Sequence, residues 1–306
     1  MNSTVYDNLT PARVMPGKPS SSKGFALLMV LLVLVIAGTV LAVSARRSCR
    51  LAMEATAAQQ RLQVDWGAQS IRTSLLPAAE TVLAAEASAH GTSPASVRRT
   101  LVLGGVRFDL LFGDEQAKAN VNILEQQHGR KGLDMRLQAL QQDARQRIRV
   151  DLRPGPDERR LPGAAPATYR SLDQVFVFDH PSELVDLEAG RVAFGPITIW
   201  SSGGVNFKRA SRVVLREVLA GVLADNQIDD IARLAETSPK ATLTEALRQA
   251  NASGRQMRAA RALLADSSSC HSLWVVAHGS ARNWYRLYVD RPAERGPAPD
   301  GLAFEW

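Results

Sequence analysis

The longest apolar run in the chain lies near the N-terminus, over residues 25–43, and it carries no charge. As an α-helix this run would measure roughly 28 Å, which is close to the ~30 Å hydrocarbon core of a bilayer. Each leucine, isoleucine, valine or phenylalanine near its centre favours insertion by about 0.3–0.6 kcal/mol. A buried helix of a soluble protein is the alternative, but apolar stretches of such helices are usually shorter. We therefore expect a transmembrane helix over residues 25–44.

The helical pattern continues beyond the apolar run and carries two apolar stripes. Both repeat at steps of three and four residues, as one face of a helix does. The first stripe comprises Leu51, Ala55, Ala58, Leu62 and Trp66, and the second Val64, Ala68, Ile71 and Leu75. Pro77 ends the pattern, because proline cannot continue a helix. The pattern predicts one long helix whose second half packs against a soluble head.

Residues 1–24 are polar and rich in serine, proline and asparagine, so they cannot form a core of their own. Three interpretations of this leader stay open. A cleaved secretory signal could end at Val43-Ser44-Ala45, although its apolar stretch normally has only about 7–15 residues. An uncleaved signal anchor is the second. The third is a prepilin, cut between Gly24 and Phe25, which keeps the whole apolar helix; Met15 is an alternative start for the chain.

The rest of the chain alternates strand-like and helix-like segments. Strands are expected at 101–112, paired around Gly104-Gly105, and at 192–200, interrupted by Gly195-Pro196. The other expected elements are helices at 133–148, near 172–175 and at 210–223, 228–235, 243–250 and 255–265, a loop at 152–168, and a β-hairpin of 270–278 and 284–290. This order predicts an α+β fold, in which a long N-terminal helix precedes an antiparallel sheet head interrupted by a helical region.

Charge and cysteine content narrow the function classes. The net charge of +7 is spread thinly, so it is a weak indication of a nucleic-acid partner. The two cysteines, Cys49 and Cys270, are expected to be free thiols. No CxxC and no His/Cys metal spacing occurs, so we expect no metal and no other cofactor. Arg46 and Arg47 follow the apolar run closely, so the positive-inside rule does not by itself place the N-terminus in the cytoplasm.

Four short motifs follow one another along the chain. They are Lys23-Gly24-Phe25-Ala26-Leu27-Leu28; Asp114-Glu115 with Lys118-Ala119-Asn120-Val121-Asn122; Tyr169-Arg170-Ser171-Leu172-Asp173-Gln174-Val175; and Gly204-Val205-Asn206-Phe207 before Ala210-Ser211-Arg212-Val213-Val214-Leu215. In this order they resemble the general secretion pathway protein K family, the largest minor pseudopilins of type II secretion systems. The closing Phe304-Glu305-Trp306 also fits that family. Lys208 departs from it, because the repeat would have a second asparagine there.

The resemblance implies a pilin-like organisation and a place in the cell. It implies a prepilin leader at 1–24, a transmembrane helix at 25–44, a periplasmic spine helix and first strands at 45–118, a helical, SAM-like insert at 119–186, and a pilin-like strand, helices and hairpin at 187–306. Prepilin peptidase would cut after Gly24 and methylate Phe25. The protein would be single-pass in the inner membrane with its head in the periplasm. Its partners would be the other minor pseudopilins, the major pseudopilin and the inner-membrane assembly platform.

Position five of the expected mature helix is Met29, where most pilins have glutamate. A carboxylate inside a bilayer costs roughly 2.5–3.5 kcal/mol unless it is paired. In ordinary pilins its partner is the N-terminal ammonium group of a neighbouring subunit. A subunit at the filament tip has no neighbour above it and needs no such glutamate. The resemblance therefore implies a tip position, from which the protein would help to start the pseudopilus and to export folded proteins across the outer membrane.

The repeated asparagine motif also resembles helix-hairpin-helix DNA-binding modules. We expect instead that Asn122 and Asn206 cap or orient the following helices. The nearby basic residues are spread over a helix that also needs a core face, so no nucleic-acid partner is expected. These residues are Lys208, Arg209, Arg212 and Arg216. A type IV pilus or DNA-uptake minor pilin that binds nucleic acid is the alternative function.

Catalysis has little support in the sequence, and we expect no enzyme. Cys270 and His271 are adjacent on a strand, so their side chains should point to opposite faces. His278 and Asp290 could approach each other across the hairpin as a surface pair. The acidic residues near the middle of the chain lack EF-hand spacing and are expected to be solvated loop charges. They are Asp173, Asp179, Glu183 and Asp186.

Overall fold

The computed structural model describes residues 22–143, 151–152, 169, 175–177, 185–186, 191–192, 195–201, 204–279 and 283–290. The chain divides into two compact units, Met1–Gln59 and Gln60–Trp306. Outside the described residues lie the leader before Ser22, most of the expected loop and short helix between 152 and 175, and the closing aromatic residues.

Seven α-helices and twelve strands are found within the described ranges. The helices are α1 Ser22–Leu75, α2 Ala79–His90, α3 Val121–Asp143, α4 Arg212–Leu219, α5 Asp225–Thr237, α6 Leu243–Gln249 and α7 Gly254–Leu263. The strands are β1 Ser96–Leu103, β2 Val106–Asp114, β3 Ala119–Asn120, β4 Asp151–Leu152, β5 Phe176–Val177, β6 Val185–Asp186, β7 Arg191–Val192, β8 Ile197–Thr198, β9 Val205–Asn206, β10 Leu264–Ala265, β11 His271–His278 and β12 Asn283–Asp290. The α+β class expected from the sequence is confirmed, and α1 ends two residues before Pro77 as expected.

A four-stranded antiparallel sheet, in the order β1-β2-β11-β12, forms the centre of the head. Gly104 and Gly105 join β1 to β2, and both have positive φ, which suits the tight turn of a two-residue hairpin. The two central strands are far apart in sequence, because the chain leaves the sheet after β2 and returns to it at β11. Helices α3, α4, α5, α6 and α7 all lie in the segment between the end of β2 and the start of β11.

The two faces of this sheet belong to different cores, since side chains alternate along each strand. Phe108, Leu110 and Phe112 of β2 join the second half of α1 in one core. Leu111 of β2 and Trp274 of β11 belong to the other core, together with residues of the helices α3, α4, α5, α6 and α7. The head therefore has three layers, with the sheet between a helix layer on one side and the helical region on the other.

The face of α1 that packs on the sheet is the second of the two stripes in the sequence. Val64, Ala68 and Ile71 are almost completely buried against the sheet. The first stripe does not pack there: Leu62 and Trp66 are 56% and 68% exposed. The second half of α1 therefore packs on the head through one of its two stripes only. Helical spacing identifies an apolar face but does not say which of two faces the sheet takes.

Helix α2 was not expected from the sequence. It buries Ala79 and Leu83, and it ends at Gly91, which has a left-handed φ of 70°. An alanine-rich run followed by His90-Gly91 is a recognised C-terminal helix signal, and it could have identified this element.

The expected strand at 192–200 is not one element. Gly195-Pro196 forms a turn, which separates β7 from β8. β7 pairs with β6, and β8 pairs in parallel with β3. Neither strand joins the four-stranded sheet, so the expectation of a pilin-like strand at this position is corrected. Proline and glycine together break the ladder, because proline has no amide hydrogen to donate.

Gly67 allows α1 to lie close to the sheet. A Cβ atom placed on Gly67 would lie 2.4 Å from Cζ of Phe108, whose ring is fully buried. We expect Gly67→Ala to lower the free energy of unfolding by about 1–3 kcal/mol through overpacking, although alanine favours the helix by about 1 kcal/mol. Urea unfolding of the detergent-solubilised protein measures this. Gly254→Ala in α7 is the matched control, because its Cβ would meet nothing within 4 Å and stability should stay equal or rise. Equal effects of the two changes would contradict the close approach.

Candidate functional site

The expected processing site lies at the start of α1. Gly24 and Phe25 are in its first turn, and Met29 lies one turn further on. Phe25 is 65% exposed, and a Cβ on Gly24 would meet no atom within 4 Å. Among the residues that the structure describes, α1 is the one helix long and apolar enough to cross a bilayer, with a mean hydropathy of 3.0 over its most apolar window. Cleavage after Gly24 stays a prediction, because length and composition also suit a signal sequence.

A second group of polar residues lies where β2 ends, at the Asp114-Glu115 motif. Asp114, Glu115 and Gln116 are buried, although charged side chains rarely are. Asp114 caps the short 3₁₀ turn Glu115–Ala117, because its Oδ1 accepts a hydrogen bond from the Gln116 amide at 2.8 Å. We call Asp114, Glu115, Gln116 and Lys118, with the side chains that they bind, the polar junction.

The two carboxylates of the polar junction are saturated by donors from distant parts of the chain. Oδ2 of Asp114 accepts from Ser268 at 2.5 Å and from Asn206 and Arg209 at 3.2 Å. Glu115 accepts from Lys118 and from Thr198, each at 2.5 Å. Buried carboxylates keep their charge only when such donors replace water. The polar junction thus joins the end of β2 to the segments that contain Thr198, Asn206 and Ser268.

Gln116 fixes the chain where it returns to the sheet. Its Nε2 donates to the carbonyl of Gly204 at 3.0 Å, and its Oε1 accepts from the amide of Ser269. Close by, the backbone amide of Glu115 donates to the carbonyl of Cys270 at 3.0 Å. The residues that follow β2 are therefore hydrogen-bonded to the residues that precede β11.

Glu80 of α2 extends the polar junction to the surface. Its carboxylate accepts from Arg209 at 2.6 Å and lies 2.9 Å from Nε2 of His271. Burial would raise the pKa of Glu80, but the hydrogen bonds with His271 and Arg209 outweigh it and lower that pKa to about 2. No sequence signal identified Glu80, because its partners lie 129 and 191 residues away.

The expected role of the repeated asparagines is corrected for Asn122. Asn120, not Asn122, accepts from the backbone amide two residues on, at 2.9 Å. Asn122 instead binds the backbone of Tyr169 through both ends of its amide. Asn206 accepts from the amide of Lys208 at 3.1 Å, but Ser211 caps α4.

The structure nevertheless shows that the two asparagine motifs are equivalent. Asn120 ends β3, which pairs in parallel with β8, and Asn206 ends β9, which pairs in parallel with β10. In each case the asparagine side chain binds the next turn of backbone, and a helix follows. The motif therefore orients its helix through an Asx turn rather than through a helix cap.

The basic residues that suggested DNA binding are largely engaged with carboxylates. Arg209 is buried between Glu80 and Asp114. Arg212 and Arg216 both pair with Asp229, at 3.6 and 3.0 Å. The amide groups at the α6–α7 turn are also used internally, since Ser253 and Gln256 form a capping box. These groups therefore offer little to a phosphate backbone.

The side chains considered for catalysis lie apart. Cys270 is buried and donates to the carbonyl of Trp200 at 3.6 Å, whereas His271 faces Glu80. His278 does not approach Asp290; it lies 2.8 Å from Oδ2 of Asp109. Within the described ranges no group of three or more metal-binding side chains occurs. Of the acidic residues considered as ion ligands, those before Asp186 lie outside the described residues.

Asp109 shows how the sheet holds a carboxylate without a solvent shell. It lies on the face that Leu111 shares, and Thr100 donates to it at 2.7 Å. Burial would raise the pKa of Asp109, but hydrogen bonds from Thr100, His278 and Arg107 lower it. This arrangement pairs neighbouring strands through side chains as well as through the ladder.

Glu80→Gln tests whether α2 is held by charge. Because folding lowers the pKa of Glu80 from 4.5 to about 2, its contribution to stability is complete above pH 4.5 and is lost as the pH falls towards 2. The variant should therefore be less stable at neutral pH and should lose less stability over that acidic range. Urea unfolding at several pH values measures both effects. Glu236→Gln, at an exposed position on α5, is the control and should behave as the native chain does; an acid profile that Glu80→Gln leaves unchanged argues against the charged contact.

No family model, curated protein or solved structure matches the chain. Its fold class and the polar junction are therefore established from the chain's own residues. Function has to be inferred from the same residues, above all from α1 and from the surfaces that the head leaves exposed.

Proposed function

We propose that this protein is a minor pseudopilin of a type II secretion system. In this proposal, residues 25–44 hold it in the inner membrane, and the unit from Gln60 onward is its periplasmic head. It would join the other minor pseudopilins and the major pseudopilin, with the inner-membrane assembly platform, to start the pseudopilus that exports folded proteins. The observation that carries the proposal is α1, which begins beside Gly24-Phe25 with an uncharged apolar stretch and ends with a face packed on an antiparallel sheet.

The apolar stretch supports a membrane role because it presents uncharged, apolar side chains over the length of a bilayer span. None of the residues in its most apolar window is buried, which water would not tolerate over this length. The absence of an acidic residue at Met29 supports a tip position, because a subunit without a neighbour above it has no ammonium group to pair with. The alternative, a minor pilin that binds nucleic acid, would want unpaired basic residues at the asparagine repeat, and most of those arginines are paired with carboxylates.

The exposed stripe on α1 supports assembly with other helices. Leu62 and Trp66 lie on α1 outside the face that contacts the sheet, and both are more than half exposed. A large apolar side chain in water gains roughly 1.5–3 kcal/mol when it is fully buried. The helix of a neighbouring pseudopilin would provide that burial.

The N-terminus of the mature protein tests the proposal directly. We expect a chain that begins at Phe25 with a methylated amino group, as measured by intact-mass and N-terminal peptide mass spectrometry on protein from membranes that contain prepilin peptidase. Gly24→Leu should abolish processing without disturbing the helix, because a side chain there meets no atom within 4 Å. Gly38→Leu is the matched control in the same helix, also without contacts, and should be processed normally. Cleavage after Ala45, or an intact leader, would falsify the proposal.

Substitution of the exposed stripe tests assembly separately from folding. Leu62→Ser with Trp66→Ser should leave the free energy of unfolding within about 0.5 kcal/mol, because neither side chain is buried in the head. The same variant should co-purify less with the major pseudopilin from detergent-solubilised membranes. Val102→Ser with Met135→Ser is the control, since these side chains are exposed to a similar degree elsewhere on the head. Undiminished co-purification of the first variant argues against this interface.

A further inference from the structure

Four arginines lie on the exposed side of the hairpin formed by α6 and α7. They are Arg248, Arg255, Arg258 and Arg261, and we call them the arginine ridge. From Lys240 to Ala265 the chain has five cationic side chains and one carboxylate, Glu245. The exposed alanines beside them, Ala259 and Ala262, leave the guanidinium groups accessible.

Several other arginines of the helical region pair with carboxylates. Arg136 pairs with Glu217 at 2.9 Å, Arg216 with Asp229 at 3.0 Å, and Arg233 with Asp230. Within the described part of the chain, no carboxylate pairs with Arg255 or Arg258. Arg255 and Arg258 thus differ from the arginines of α4 and α5, which pair with Asp229 and Asp230.

Two members of the arginine ridge, Arg255 and Arg258, oppose helix stability. Arg255 is the second residue of α7 after its cap Ser253, where the positive end of the helix dipole repels a cation. Arg255, Arg258 and Arg261 follow at steps of three, and like charges at this spacing destabilise a helix by about 0.2–0.5 kcal/mol per pair. Arg248 and Arg261 lie in the last turns of α6 and α7, where the helix dipole favours a cation. Folding therefore gains nothing from the charges of Arg255 and Arg258 alone, and their presence is better explained by a partner.

The α6–α7 hairpin that carries these arginines is stabilised by its own hydrogen bonds. Capping boxes close the N-termini of both helices, with Glu245 at Thr242 and Gln256 at Ser253. Arg261 donates to the hydroxyl of Thr244 at 3.0 Å, which joins the end of α7 to the start of α6. A support that is already ordered lowers the entropic cost of binding.

We propose that the arginine ridge is a docking surface for an acidic protein segment that presents carboxylates at helical spacing. Guanidinium groups match carboxylates in bidentate geometry. Nucleic acid fits less well, because no aromatic side chain lies among the arginines for base stacking and the amides of Ser253 and Gln256 are used by the helix cap. A membrane surface fits less well, because no large exposed apolar side chain adjoins them. The inference goes beyond the proposed function and does not depend on it.

The test uses the full-length protein in detergent and a fluorescein-labelled oligo-glutamate helix, with anisotropy as the measurement. We expect binding at low salt that weakens as ionic strength rises. Arg255→Gln with Arg258→Gln should weaken it about tenfold, which corresponds to about 1.4 kcal/mol. Arg212→Gln with Arg216→Gln removes the same charge from arginines that are already paired, and should leave the affinity within about twofold.

A stability measurement separates docking from a structural role. The Arg255→Gln, Arg258→Gln variant should have an unfolding midpoint equal to or above that of the native chain, because two repulsive charges are gone. The inference is overturned if the peptide does not bind, if both variants weaken binding equally, or if the first variant loses stability. Tighter binding of a DNA duplex, or of phosphatidylcholine vesicles containing phosphatidylglycerol, also overturns it in favour of those partners.

Discussion

The pairing of β2 with β11 is the constraint on which the rest of the head depends. These strands are adjacent in the sheet, with Asp114 opposite His271, yet the whole helical region lies between them in sequence. The chain must therefore leave and return at the same end of the sheet. Closing so long a loop costs entropy, and long-range contacts have to offset it. The polar junction lies at this point, where Glu115 and Gln116 hold the residues that lead into β11.

The buried charges of the polar junction determine which segments of the chain meet, more than they add to the free energy of unfolding. A buried ion pair contributes little net free energy, whereas removing one partner costs about 3–5 kcal/mol. Asp114 binds donors on Asn206 and Ser268, and Glu115 binds a donor on Thr198, so the two carboxylates hold segments that are far apart in sequence. An apolar core of equal volume would bury as much surface but would not specify which segments meet. The polar junction therefore fixes the helical region in one arrangement.

Sequence patterns predicted those elements whose signals are local. The helices at 225–237 and 243–249 and the final hairpin follow from apolar spacing and from glycine turns, so they appear close to their expected positions. Patterns failed where the outcome depends on distant residues. They could not say which stripe of α1 meets the sheet, because Gly67 matters only when Phe108 lies opposite. Sequence patterns did not identify Glu80, because its role depends on contacts with Arg209 and His271. They also predicted the wrong role for Asn122, which binds the backbone of Tyr169.

The features that folding does not need are the ones that function has to explain. The sheet requires one apolar stripe of α1, yet α1 carries a second apolar stripe, and Trp66 at the end of that stripe is exposed to solvent. The α6–α7 hairpin requires its caps and its core face, yet it carries Arg255 at the positive end of α7 and Arg258 one turn further on, where the two charges repel each other. A chain selected only for stability would have neither feature, because polar residues on the exposed stripe and glutamates near the start of α7 would make the folded state more stable. Their positions, one on the helix that leads to the head and one on the head itself, make two separate surfaces available to partners. A protein that assembles through one surface could therefore still bind an acidic partner through the other.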